Sequence, residues 1–464
     1  AAARRRVVAL AVRESRRRAW PRRAARLWSL AGRGAVLAAL YAPAALTAGL
    51  LLCGESARKW WWGLLRACAR RAGPCSVKFA QWAATRSDLF PAAVCNGLRD
   101  LQTGTGSRDV PWSEARRQLA GSWDLLDAEL EVHEVPIGSG AIAQVYRGRL
   151  VDGREVAVKV VQPRVRRQIE ADVELARAVV SSLEYILPSM VWLSLSESVE
   201  EFSTLMMGQL DMRNEARALA RFRRNFARDR TVRFPEPLPL PLPQGDFIHQ
   251  LVLVEELMDG SPLSAHLDAP ADVKRRIAQL GLHAFLKMTF IDNFIHCDLH
   301  AGNILVSQDK GAAATRLVLL DTGLSTSLAP EDRRNFLDLF RAVVLRDGRL
   351  VGQLMLERAR DQRCDDPEAF ISEMSAIVDE VLGSGLQLRK LQVAALLQRV
   401  LSLCYVHQVK LESRFMSVLL SIGVLEGLGR SLDPDVDLLT AAAPYVMRAA
   451  AAAAIAGDAQ PGTG

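Results

Sequence analysis

The run His296-Cys297-Asp298-Leu299-His300-Ala301-Gly302-Asn303, followed by the strand-like Leu317-Val318-Leu319-Leu320 and then Asp321-Thr322-Gly323, constrains this chain more than any other feature. An aspartate and an asparagine stand five residues apart, and a second aspartate arrives on a strand 18 residues beyond the asparagine, which leaves room for one hairpin. Two carboxylates and an amide oxygen form a hard-oxygen set, suited to Mg2+ that also bridges phosphate oxygens. Asp298 then orients an acceptor hydroxyl or takes its proton, and Asn303 and Asp321 are the metal ligands. His296 and His300 could also be read as metal ligands, but in a loop of this kind imidazoles more often bond backbone and hold the loop in shape. Cys297 reads as filler of a small core space.

Upstream, Gly138-Ser139-Gly140 sits between two strand-like runs, with Ala141 and Val145 following. Glycines let backbone N–H groups approach phosphate oxygens without side-chain clash. Ala157-Val158-Lys159-Val160 comes one hairpin later, and a lysine there reaches the α- and β-phosphates. Glycine loop, strand lysine, HxDxxxxN and DxG appear in the order found in protein kinases. The cofactors expected are ATP and Mg2+.

A third element narrows the choice. Lys78-Phe79-Ala80-Gln81-Trp82-Ala83-Ala84-Thr85-Arg86-Ser87-Asp88-Leu89-Phe90-Pro91 resembles the KxGQ segment of the UbiB/aarF atypical kinases, and the likeness extends over about residues 70–350. The resemblance implies an α+β, two-lobed protein-kinase-like fold with an N-terminal helical extension and a mostly helical C-terminal lobe. It implies that the extension folds over the nucleotide cleft, bringing Lys78 and Gln81, which share a helix face, to the cofactor. The family's helical insertion makes Glu215 the partner of Lys159, with Glu170 and Glu174 as nearer alternatives. The strand Leu251–Leu257 is similar to a kinase hinge, where backbone around Glu255–Leu257 meets adenine. Catalysis would rest on Asp298, Lys159 and Glu215, as ATP hydrolysis or phosphotransfer to a small-molecule or lipid acceptor supporting mitochondrial coenzyme Q or lipid metabolism. Three motifs depart from the family pattern: KxGQ is KFAQ, the alanine-rich loop is Gly138-Ser139-Gly140-Ala141-Ile142-Ala143, and ExD is Gln209-Leu210-Asp211. With Gln209, Asp211 and Glu215 taken as one helix, Glu215 faces Lys159 and Lys78 reaches Gln209 or Asp211.

Ala329-Pro330-Glu331 imitates an activation-segment marker but stands only 10 residues past Asp321, so it reads as a helix start. With no arginine before Asp298 either, the chain lacks a peptide-docking platform. Two rivals stay open. One is a small-molecule phosphotransferase of the aminoglycoside or choline kinase type, and the other is a non-catalytic, nucleotide-gated scaffold.

Charge is uneven. The net charge is +7, yet residues 1–33 hold eleven arginines and one acid, +10, leaving −3 for the rest. The body therefore offers no charge argument for nucleic-acid binding. The basic segment 1–33 reads as a mitochondrial targeting segment. Residues 35–53 are 19 residues without a charge, a possible transmembrane helix that would associate the protein with the mitochondrial inner membrane. Residues 64–130 form the helical extension, 131–258 the N-lobe with its insertion, 259–448 the C-lobe and 449–464 a disordered tail. Seven cysteines without a CxxC pair exclude a disulfide framework. A composition of 50% hydrophobic and 24% charged residues excludes a mostly disordered chain.

Overall fold

An apolar run with one arginine in it starts the fold. The computed structural model describes residues 26–85, 90, 92–98, 110–119, 130–186, 195–242, 245–308, 315–359, 361–383, 393–410, 429, 432–433, 435 and 438–458. Helix α1 (Arg26–Leu52) ends in a 3-10 turn over Ala48–Leu52, and α2 (Glu55–Ala72) doubles back along it. The Trp61 indole donates to the Ala44 carbonyl at 2.8 Å, and eleven residues further along both helices Arg33 Nη2 donates to the Ala72 carbonyl at 2.6 Å. The pairing is therefore antiparallel. Gly73 then turns the chain at φ +111°, where a Cβ would stand 2.2 Å from the Gln168 amide nitrogen, so only glycine fits. Helix α3 (Pro74–Thr85) carries the KFAQ residues, and α4 (Ala92–Leu98) packs beside it. Of the quoted KFAQ stretch, Arg86–Leu89 and Pro91 lie outside the described residues, as do residues 1–25 of the targeting segment.

After α5 (Trp112–Gln118), strands β1 (Leu130–Ser139), β2 (Ala143–Leu150) and β3 (Glu155–Val161) form an antiparallel meander. Alternation gives it one dry face, where Val156, Val158 and Val160 pack with Tyr146 and Trp112. Three helices follow: α6 (Val165–Ile186), α7 (Leu195–Gln209) and α8 (Met212–Asn225). Gln209, Asp211 and Glu215 are thus not on one helix. The chain breaks after Gln209, and Asp211 starts the next helix by capping the Arg213 N–H at 3.1 Å. Short β4 (Val232–Arg233), β5 (Leu240–Leu242) and β6 (Gly245–Phe247) precede β7 (Val252–Glu256), which pairs with β3. Residues 233–246 are rich in proline, yet they join the sheet. Leu238 N–H donates to the Val254 carbonyl and Glu256 N–H to the Glu236 carbonyl, both at 2.8 Å, so the segment closes the outer edge of the sheet.

The second lobe opens with β8 (Ser261–Pro262) and α9 (Ala271–Leu286), which runs into a π turn over Lys287–Ile291. Strands β9 (Ile295–His296), β10 (Ile304–Gln308), β11 (Thr315–Leu319) and β12 (Ser325–Thr326) carry the polar loops. Then come α10 (Pro330–Val344), α11 (Gly348–Glu357), β13 (Asp361–Gln362), α12 (Pro367–Gly383), α13 (Val393–Val406), β14 (Val409–Lys410) and α14 (Leu438–Asp458). Ala329 caps α10 and Pro330 occupies its first turn, so Ala329-Pro330-Glu331 is a helix start. Residues 449–458 continue α14 rather than forming a disordered tail. Val446 and Ala449 are buried in the main core, which repays the ordering of that helix. Residues 459–464 lie outside the described set. The result is a two-lobed, kinase-like α+β fold with the cleft between the sheet and the β9–β12 loops.

Candidate active site

Lys159 sits on the face of β3 opposite the valines, and its ammonium lies 2.7 Å from Glu215 Oε1 and 3.1 Å from Asp321 Oδ1. Burial opposes the ammonium charge, but Asp321, Glu215 and Glu255 outweigh burial and hold the lysine protonated. Burial pushes the Glu215 carboxyl up to about 7 against the pull of Lys159. Asp321 goes the other way: partial desolvation raises its carboxyl, but Lys159 and Lys78 outweigh that and hold it below the usual carboxylate range. Its side chain is 44% exposed, so water in the cleft supports its charge as it cannot support that of Glu215. The alternatives for Lys159 are engaged elsewhere, Glu170 with Arg166 and Glu174 with Arg26.

His296 is buried, and burial holds its ring neutral, below the usual histidine range. Its Nε2 faces the Leu320 carbonyl at 3.0 Å and its Nδ1 accepts the Asp298 N–H at 3.2 Å, so it ties the two polar loops together. His300 Nδ1 accepts the Gly302 N–H at 3.1 Å. Both histidines therefore hold backbone. Asn303 Nδ2 donates to the Asp298 carbonyl at 3.0 Å, which turns its amide oxygen away from the loop. Asp321 adopts a left-handed φ of +47°, and a Cβ on Gly323 would meet Asp321 Oδ1 at 3.3 Å, so the glycine clears space for that carboxylate. Among the described residues no cluster of three or more His, Cys, Asp or Glu side chains could hold a metal. One carboxylate and one amide oxygen fit Mg2+, which completes its shell with water and phosphate oxygens.

The KFAQ helix is placed by rings. Phe79 and Trp82 pack against Phe202 of α7, with centroids 5.3 and 5.6 Å away. Lys78 does not go to Gln209 or Asp211. Its Nζ stands 3.6 Å from Asp298 Oδ2, while Asp211 is paired with Arg213 at 2.6 Å and Gln209 Oε1 is buried without a hydrogen-bond partner. The break between α7 and α8 carries the Gln209-Leu210-Asp211 motif off the helix where Lys78 was expected to meet it. Gln81 follows one turn after Lys78.

Gly138 and Ser139 close β1 opposite Val145 and Gln144, and the Gly140 N–H donates to the Ala143 carbonyl at 2.9 Å. Gln162 Nε2 donates to the Gly140 carbonyl at 2.9 Å, which fixes the turn, and Ala141 is buried within it. The Glu255 side chain has a place of its own beside the backbone contact expected there. The residue pairs with Ala157, two residues from Lys159, so its side chain shares the face of Lys159, and it is buried. Burial, and then Glu215, push its carboxyl up to about 8. Strand alternation alone would have placed it there. Leu257 lies just past the end of β7, half-buried. Sequence reasoning also missed Arg33, whose guanidinium meets Asp172 Oδ1 at 2.6 Å and Oδ2 at 2.8 Å. Its signal was a lone cation between Gly32 and Gly34 in an apolar run.

Residues 115–355 match the ABC1 atypical kinase-like domain. The chain belongs to the ABC1 atypical kinase family. The matched region runs from α5 into α11, so it holds the glycine turn, Lys159, Glu215, Asp298, Asn303 and Asp321, while α1–α4 precede it. A second match, over residues 374–437, is to the UbiB helical domain. A mitochondrial ABC1 family protein of Schizosaccharomyces pombe is 32% identical over 461 residues, covering 84% of this chain and 65% of that protein. One of Saccharomyces cerevisiae is 32% identical over 450 residues, covering 83% and 67%. A Vibrio campbellii protein named probable protein kinase UbiB is 28% identical over 385 residues, covering 82% and 69%. This ABC1 chain thus spans about two thirds of the length of these relatives.

Proposed function

We propose that this ABC1 chain is an ATP-dependent atypical kinase using Mg2+, acting as an ATPase or as a phosphotransferase to a small-molecule or lipid acceptor. The observation that carries the reading is the buried Lys159, held between Glu215 and Asp321 across the cleft from Asp298 and Asn303. Lys159 would hold the α- and β-phosphates, with Glu215 fixing its position. Asn303 and Asp321 would hold the metal, which supplies charge neutralisation to the phosphates when bound. Asp298 would orient the attacking hydroxyl or water. Gly138, Ser139, Gly140, Ala141 and Val145 would line the phosphate side, and backbone from Glu255 to Leu257 the adenine side. Lys78 stands 3.6 Å from Asp298, which favours a small or lipid acceptor over an extended peptide.

Mitochondrial localisation is supported by relatives named mitochondrial and by the arginine-rich first 33 residues. Membrane association, and with it a role in coenzyme Q or related lipid metabolism, is supported by the exposed apolar α1. ATP turnover by the full chain and by Asp298→Asn tests the enzyme reading. Equal turnover in both proteins would refute it. Nucleotide binding with no turnover in either would leave a scaffold.

A further inference from the structure

α1 is the one helix, among the described residues, long and apolar enough to cross a bilayer. Its outer face includes Leu27, Trp28, Val36, Leu46 and Leu52, all exposed, with Leu46 at 86% and Leu52 at 93%. From Leu27 to Leu52 that face carries no charge, because Arg33 is turned inward with 17% of its side chain exposed. A surface of this kind is satisfied either by threading α1 through a bilayer or by laying it on one.

The packing of α1 decides between them. To thread, α1 must leave its neighbours or take them along. It is held by the Arg33 fork on Asp172 of α6, by Arg26 on Glu174 at 2.6 Å, and by the buried Trp61 indole on the Ala44 carbonyl. Taking α2 along would draw Glu55, Arg58, Lys59, Arg66, Arg70 and Arg71 into hydrocarbon. Charges at bilayer depth are expensive, and these sit in both halves of the helix, at 55–59 and at 66–71. Laying the hairpin down meets neither obstacle. The occupant follows from charge complementarity: exposed Arg58 and Trp60, with Lys59 paired to Glu55 at 2.7 Å, flank the apolar tip, and residues 1–25, with nine arginines and one glutamate, add a net +8. That pattern fits an anionic headgroup layer.

The geometry points to a monotopic hairpin: the outer face of α1 lies in the headgroup–acyl boundary of an anionic bilayer, and the hairpin tip at Cys53 stays on the same side as the catalytic cleft. This rests on the membrane association proposed above. Cys53 is a native reporter, since it is exposed and the other six cysteines are buried or half-buried.

The full chain is synthesised cell-free with phosphatidylcholine–phosphatidylglycerol vesicles, floated, and treated with a membrane-impermeant maleimide, with Cys53→Ala as background. The expected result is flotation, labelling of Cys53 on intact vesicles as fast as in detergent, and release by alkaline carbonate. Flotation with Cys53 protected until detergent is added would overturn the monotopic hairpin and leave membrane association standing. No flotation would overturn membrane association itself, and the hairpin with it. Val36→Glu and Leu46→Glu, both at exposed positions that spare the fold, should each lower vesicle partitioning about tenfold. Unchanged partitioning, or equal flotation on pure phosphatidylcholine, would overturn the assignment of that face to an anionic surface.

Discussion

Replacing Arg33 by Met keeps the aliphatic stem and deletes the fork. Asp172, whose side chain is 6% exposed, then loses its only ion-pair partner among the described residues, and the Ala72 carbonyl keeps Gln168 but loses the other of its two donors. Breaking a buried pair from one side costs about 3–5 kcal/mol, mostly for the charge left behind. The expected loss is therefore about 3 kcal/mol, at the lower end of that range. Because the damage is local, amide hydrogen exchange is the assay: protection over α1 and α2 should fall about 100-fold at pH 7. Adding Asp172→Asn should restore most of it, since the double variant leaves no buried charge. Exchange within about threefold of the parent, or no recovery in the double variant, would refute the reasoning.

Lys78→Met should free Asp298 and raise ATP turnover several-fold, measured as phosphate release with saturating Mg2+; a fall in turnover would mean that Lys78 serves the reaction instead. Asp321→Ala should abolish the Mg2+-dependent part of nucleotide-induced thermal stabilisation, and an unchanged shift would refute its place at the metal. Glu255 is raised to about 8, so the fold binds its proton more tightly than the unfolded chain does. Its contribution is present below the ordinary glutamate range and is lost as pH rises toward 8. Thermal unfolding of Glu255→Gln should therefore lose less stability than the parent between pH 6 and about 9. Transfer of phosphate to casein should be negligible in the full chain, and robust transfer abolished by Asp298→Asn would contradict the preference for a small or lipid acceptor.

What the sequence made legible was local or periodic. Lys159 could be placed on its strand because alternation between buried valines leaves one direction for it, and Asn303 and Asp321 because a fixed loop and one hairpin separate them. The partner of Lys159 was legible only through family likeness, since 56 residues intervene and three glutamates compete. The contact of Lys78 was misplaced for a similar reason. Helical spacing was carried across Leu210, but Leu210 is fully buried and the chain turns there, with Asp211 free to cap because the helix has stopped. Arg33 and Glu255 hid because charges within apolar runs look like interruptions until their burial partners, far away in sequence, are in view. Prolines do not sit in central strands, yet Glu236 and Leu238 on either side of Pro237 still pair at the sheet's edge.

Gly73 has a practical side. It is the single residue between α2 and α3, and Lys78 follows five positions later. A joint that short has no slack to absorb a change upstream. The register of the KFAQ helix over Asp298 is set partly by Gln168, whose amide donates to the Ala72 carbonyl, the same oxygen that Arg33 holds. Trimming the apolar leader to make the protein easier to purify would remove one of the two donors at that oxygen and loosen the end of α2. Turnover numbers from such a shortened enzyme would describe a differently latched resting state, and comparisons between relatives are sound only when the trimming point is matched relative to the glycine.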